Sequence, residues 1–240
     1  MNRPYRFFNP ENSIMKKFII RPSAPMYEMP APQLKELLAA NINPELPGFT
    51  YNGTYIWYAP WKDHCRKVIQ VYSLKGCSAV FLWGLCFDFL PVFSSGGYLR
   101  YQRTDKSVRL HLFCWPPGHW NSVPKQSVSC RFSRFGRSPE DVKAQVLQAF
   151  HEAQGLFVPW FQSCCDLPGA LAEARRQCTD PNSCHNWPAP DYVYAFLLAA
   201  NGDVQAGMEA LEMYWKCQLD QDFPVTLYDK LRARLQSCAG

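Results

Sequence analysis

Asp88, Arg109 and His111 are the residues of this 240-residue chain whose types and spacing could assemble a reaction centre. Arg109 and His111 are two apart in a strand-like run, so a period of two puts them on one face. Asp88 lies on the small-residue face of an earlier run. Neighbouring antiparallel strands would then gather a carboxylate, a cation for developing charge and an imidazole that titrates near neutrality. A hydrolase or nuclease would use that set. A structural Asp–Arg pair explains the same residues without any reaction, and the sequence does not fix the register. His64, His119, His151 and His185 belong to no motif, and there is no Gly-x-Ser-x-Gly, His-Glu-x-x-His, Walker loop or dinucleotide fingerprint. No catalytic residue is therefore assigned.

The cysteines offer a second chemistry to weigh. Cys164, Cys165, Cys178, Cys184 and His185 are types that ligate zinc. Structural zinc sites present paired ligands on a tight knuckle, about two to four residues apart. Cys164 and Cys165 are adjacent and Cys178 and Cys184 are six apart, so neither pair fits, and no metal or other cofactor is expected. The chain has eleven cysteines, an odd number without a repeating framework. Free thiols are the expectation, with Cys77, Cys86 and Cys114 acting as small core residues.

Charge is segregated along the chain. Residues 100–137 hold eight bases against the single acid Asp105, whereas residues 138–240 carry a net charge of −6. The two parts could attract each other inside the fold, or the basic block could face an acidic partner. Arg131–Arg137 (RFSRFGR) alternates cations with aromatics. It reads either as an edge strand with solvated arginines or as a surface that tracks phosphates while its rings stack on bases. The candidate binding residues are Arg100, Arg103, Asp105, Lys106, Arg109, His111, Arg131 and Arg134.

These residues must be positioned by a sheet followed by helices. In Ala79–Leu90 the residues Phe81, Trp83, Leu85, Phe87 and Phe89 alternate with Leu82, Gly84, Cys86 and Asp88, which predicts a strand with aromatics in the core and small residues opposite. Thr54–Ala59, Lys67–Leu74, Ser107–Trp115 and Val128–Phe135 are further strand candidates, with turns at Lys75-Gly76 and Ser94–Gly97. Pro32–Ala40 has helical spacing. From Ser138 the period becomes 3.6, predicting helices over Pro139–Gln154, Leu167–Gln177, Tyr192–Ala200, Val204–Leu219 and Val225–Gln236. Ser138 caps the first of these, and Asn201-Gly202-Asp203 joins the third to the fourth. The fold class is α+β: an antiparallel meander of about four to five strands followed by a helical bundle.

A poorly ordered or extended N-terminal segment (1–31), a helix plus sheet (32–137) and a helical region packed on it (138–240) would form one continuous domain. With hydrophobic residues at 48% and aromatics at 15%, a core needs no staple. No apolar run reaches the ~18 residues of a membrane span, and the N-terminus lacks the apolar stretch of a signal peptide. A cytoplasmic location is expected, with Met15 an alternative start.

Trp83-Gly84-Leu85 and Asp88-Phe89-Leu90-Pro91, then Leu99–Ser107 (LRYQRTDKS) with Leu110, and later Val158-Pro159-Trp160-Phe161, carry a family resemblance. Over roughly Gly48–Cys165 the chain resembles a small bacterial α+β family of unknown function. Some of its members resemble genes beside toxins or mobile elements. The resemblance implies a curved antiparallel sheet and an immunity or defence role, with no activity to transfer. It also implies either a site at Arg103–Ser107 or a polar turn there. A non-catalytic protein-binding role leads, nucleic-acid binding through 100–137 is the alternative, and a hydrolase or nuclease using Asp88, Arg109 and His111 is the second alternative.

Overall fold

The alternating aromatics of Ser78–Phe87 form the central strand of the structure, a computed structural model. It describes residues 26–74, 77–93, 97–102, 104–105, 108–117, 129–180, 183, 186–217 and 224–238. In chain order the elements begin with β1 (Tyr27–Glu28), α1 (Ala31–Ile42), a 3-10 turn at Asn43–Glu45, β2 (Thr50–Tyr51) and β3 (Ile56–Tyr58). The core hairpin β4 (Cys65–Ser73) and β5 (Ser78–Phe87) follows, then β6 (Pro91–Phe93), β7 (Leu99–Tyr101) and β8 (Leu112–Cys114). After β9 (Arg131–Ser133) and β10 (Phe135–Gly136) come α2 (Pro139–Ser163), α3 (Leu167–Thr179), α4 (Pro190–Ala200), α5 (Val204–Cys217) and α6 (Val225–Gln236). The fold is α+β, with antiparallel sheets and the helices concentrated in the C-terminal half.

The main sheet runs β2-β3-β4-β5-β8, with β9 also paired to β5. A two-residue hairpin leads into β4. Lys62 and Cys65 exchange both backbone bonds at 2.8 and 2.9 Å, and the central Asp63 and His64 have φ of 46° and 64°. Positive φ at both positions matches the twist of the flanking strands, and Asp and His tolerate that region better than most residues. From there β4 and β5 pair without a break from Cys65↔Phe87 to Ser73↔Ala79.

One face of β5 packs on α2. Phe81 meets Phe150 at a ring separation of 5.6 Å, and Trp83 meets Phe157 at 6.4 Å. Ser138 caps α2 by accepting from Asp141 N–H, while the Asp141 carboxylate accepts from Arg137 N–H at 2.8 Å. The helix continues past Gln154, where its expected end lay, and through Pro159 to Ser163. Gly155 and Pro159 are local stop signals. The buried stripe Phe150–Ala153–Phe157–Phe161 outweighs them, because tertiary burial dominates helix stability.

The other face of β5, where the small residues were expected, is covered as well. Val80, Leu82 and Cys86 are all buried. Of the expected strand Ser107–Trp115, Ser107 lies outside the described residues and the rest is regular only at β8, while Val108–Leu110 lies across the outer face of the sheet. Phe135 and Gly136 leave the main sheet to pair with β1. Thus Tyr27 and Glu28, within the segment expected to be poorly ordered or extended, form a short strand of the fold. The turn residues 75–76 and 94–96 and position 128 lie outside the described residues.

The helical half docks at the end of β5. The Tyr192 hydroxyl donates to Pro91 O at 2.6 Å and Arg234 Nε donates to Phe89 O at 3.1 Å. The α4–α5 joint forms as read: Gly202 has φ 93°, and Asp203 Oδ1 accepts from Ala206 N–H. Among the described residues no helix is long and apolar enough to cross a membrane.

Candidate functional site

Strand register builds a groove on the outer face of the sheet. Ile56 pairs with Gln70 and Gln70 with Leu82, so these three side chains share the face away from α2, with Tyr72 further along β4. Phe113 and Trp115 close one side, and Val108–Leu110 close another. Together with Trp187 they bound a groove of about 410 Å³. Asn186 organises the aromatic wall: its Oδ1 accepts from Trp115 Nε1–H at 2.9 Å, and its Nδ2 donates to Phe113 O at 3.0 Å. The Trp115 ring then meets Tyr72 edge-on at 5.4 Å. Tyr72 remains 43% exposed and Trp187 49% exposed, so both offer open ring surface.

Arg109 is the cation of this groove. It is exposed, and its guanidinium makes no hydrogen bond or ion pair with any described residue. Among the described residues no acid lines the groove to neutralise it.

Next to the groove the same face carries a buried polar cluster. Arg66, directly across from Cys86, stacks over Trp61 at 4.4 Å and Tyr58 at 4.9 Å. Its NH1 donates to Asp105 Oδ1 at 2.8 Å and its NH2 to Thr104 O at 3.0 Å. The Cys86 thiol points at Gln102 O. His111 is buried and accepts from Phe87 N–H at Nδ1, 2.9 Å away, which leaves its proton on Nε2. Burial, helped by the charges of Arg109 and Arg66, lowers its pKa to about 3. Arg66 Nε, Gln102 Oε1 and His111 Nε2 are buried without a hydrogen-bond partner among the described residues.

The eight candidate residues fall into separate environments. Arg100 is exposed on β7 and Arg109 is exposed in the groove. Asp105 is the counterion of Arg66. Arg131 donates to Ser78 Oγ at 2.9 Å, while Arg134 donates to Met29 O at 3.0 Å and to Glu28 Oε1 at 2.9 Å, fastening β1 to the sheet. Arg103 and Lys106 lie outside the described residues, so the structure has no bearing on a site at Arg103–Ser107 beyond Thr104 and Asp105.

Asp88, Arg109 and His111 do not form a hydrogen-bonded set. The Asp88 carboxylate sits 3.2 Å from His64 Nδ1 at the end of β5, Arg109 points to solvent, and His111 points inward. The period-two argument placed Arg109 and His111 on one face, but the chain is not a strand before Leu112. A neutral buried imidazole that already accepts a backbone N–H is poorly suited to act as a general base.

Ten cysteines are described and all are free thiols. Cys86 is a core residue as expected. Cys77 instead occupies a turn at φ 58°, and Cys114 is half-buried beside Glu173. Cys164 is buried while its neighbour Cys165 is exposed, and Cys184 and His185 lie outside the described residues. Among the described residues no three His, Cys, Asp or Glu side chains are placed to hold a metal.

Sequence reasoning missed Arg66, Tyr72, Trp115, Asn186 and Trp187. A signal was present for two of them: Arg66 and Tyr72 alternate with Ile69 and Val71 along β4, which marks a second, non-core face. Nothing local links Trp187 to a strand more than a hundred residues earlier. No family model, no curated protein and no solved structure matches the chain.

Proposed function

We propose that this chain is a non-catalytic protein-binding module that meets an acidic partner at the outer groove. The carrying observation is Arg109, an exposed guanidinium without a counterion among the described residues, lining the same groove as the exposed rings of Tyr72 and Trp187. Arg, Trp and Tyr are enriched among the few residues that carry most of the binding energy of protein interfaces. An unpaired cation selects for acidic partners and speeds encounter. Arg100 adds exposed positive charge, whereas Arg131 and Arg134 are engaged internally and contribute less.

The finer reading is a bacterial, cytoplasmic immunity or defence protein. Its support is the resemblance carried by Trp83–Pro91 and Leu99–Leu110, together with ten free thiols, a state suited to a reducing compartment. Nucleic acid is the second reading, since Tyr72 and Trp187 could stack bases beside Arg109.

Affinity capture at low salt with the full chain and its Arg109→Glu variant, followed by identification and purification of what is retained, tests the assignment. A protein that binds wild type directly, and is released by salt and by Arg109→Glu, supports it. Retained nucleic acid, or a partner indifferent to Arg109, refutes it.

A further inference from the structure

We propose, resting on the protein-binding reading above, that the groove recognises an aromatic side chain of the partner with a carboxylate beside it, as in an acidic segment that presents Trp, Tyr or Phe next to Asp or Glu. Size sets the first limit. A volume of about 410 Å³ accepts one or two side chains, at the small end of ligand sites, and not a folded surface. The occupant is therefore one anchoring residue with its immediate neighbour.

The walls set its shape. Tyr72, Trp115 and Trp187 present ring edges and faces, and Ile56 and Leu82 make an apolar floor. Rings pack on rings in offset or edge-to-face arrangements worth more than their area alone. Trp115 is held before binding by the Asn186 amide and by its edge contact with Tyr72. Trp187 rests edge-on against Phe93 at 5.5 Å. A wall already ordered loses little conformational freedom when a ring enters.

Charge sets the neighbour. Among the described lining residues Arg109 meets no acid, and the Gln70 amide and the Tyr72 hydroxyl are further polar groups there. A guanidinium beside apolar walls prefers a planar carboxylate, which it can hold through two parallel N–H donors. The buried face of Arg66 cannot compete for that carboxylate, because Asp105 and Thr104 already occupy its NH1 and NH2 groups.

N-acetyl-L-tryptophan, its primary amide and AMP are the probes, titrated into the full chain by NMR. The acid is expected to bind about tenfold tighter than the amide, the weight of one charge-assisted contact. Arg109→Gln should erase that difference while leaving the amide unchanged, and Trp187→Ala should weaken both, with a melting curve of each variant confirming that the fold is retained. Equal affinity for acid and amide, a preference that survives Arg109→Gln, tighter binding of AMP, or no binding of either tryptophan probe overturns the proposal. The failures separate: if the probes fail but a captured protein still depends on Arg109, the protein-binding reading stands without this one. If the probes behave as expected but no protein depends on Arg109, the protein-binding reading falls instead.

Discussion

Arg66 and Asp105, 39 residues apart in the chain, form a 2.8 Å ion pair in which the guanidinium side chain is 1% exposed and the carboxylate 67% exposed. The asymmetry means that the two partners are not equivalent. Deleting the carboxylate leaves a buried cation uncompensated, whereas deleting the cation leaves a carboxylate that water can reach. Asp105→Asn should therefore cost about 1–3 kcal/mol, an unpaired buried charge partly rescued by solvent. Arg66→Met, which keeps the stem volume under Tyr58 and Trp61, should cost less. Urea unfolding of both variants decides it, and the reverse ranking would remove the buried-charge argument.

Trp83 is 3% exposed and packs against Phe157 of α2. Trp83→Ala should cost about 3–5 kcal/mol, the range for emptying a buried aromatic site. A loss under about 1 kcal/mol would mean that this ring is not at the sheet–helix interface.

Accessibility should rank the thiols. Cys165 and Cys217 are exposed, whereas burial raises the pKa of Cys130 and Cys164 to about 11. Alkylation of the native chain followed by peptide mapping should label Cys165 and Cys217 first, with Cys164 labelled only on unfolding. Equal labelling of the adjacent Cys164 and Cys165 would contradict the burial difference between them.

The features readable in the sequence were those with a local period or a local cap. The alternation of Phe81, Trp83, Leu85 and Phe87 found β5, and Ser138 with Pro139 found the start of α2. Val225–Gln236 has the bounds its spacing implies. What escaped was decided by distant packing. Phe157 and Phe161 carry α2 across Pro159 because a sheet lies beneath them. Val108–Leu110 alternates like a strand, yet its apolar side chains fold onto the outer face of the sheet and Arg109 remains exposed. The groove joins Tyr72, Arg109, Trp115 and Trp187, four positions no single period connects. Charge counting found the basic block but could not separate Arg134, spent on Glu28 and Met29, from Arg109.

His111 gives the fold a pH dependence with a definite sign. Its folded pKa of about 3 lies below the ordinary 6.5, so the unfolded chain binds more protons between those values. Stability from this residue is complete above pH 6.5 and is lost as pH falls toward 3. Between pH 7.5 and 5, before carboxylates titrate, the loss should be about 2 kcal/mol. Unfolding midpoints across that window should fall for wild type and stay flatter for His111→Asn, which lacks the proton to gain. A wild-type profile as flat as the variant's would mean that the imidazole is not held neutral in the fold.

The basic block should divide into binding and structural halves. Arg109 and Arg100 are exposed, so reversing both to Glu adds repulsion toward an acidic partner without removing an internal contact of Arg109. Partner association should slow, and added salt should relieve that loss, because salt screens the new repulsion as it screened the steering charge. Thermal stability should stay nearly constant, as for most surface substitutions. Arg134→Glu should do the opposite. It removes the donors to Met29 O and Glu28 and places two carboxylates together where β1 meets β10, so stability falls while association changes little. Melting curves and association rates measured on the two variants side by side give a crossed pattern. If Arg134→Glu alone weakened binding and the Arg100/Arg109 reversal did not, the partner would be meeting the edge at β10, and the outer groove would lose its role.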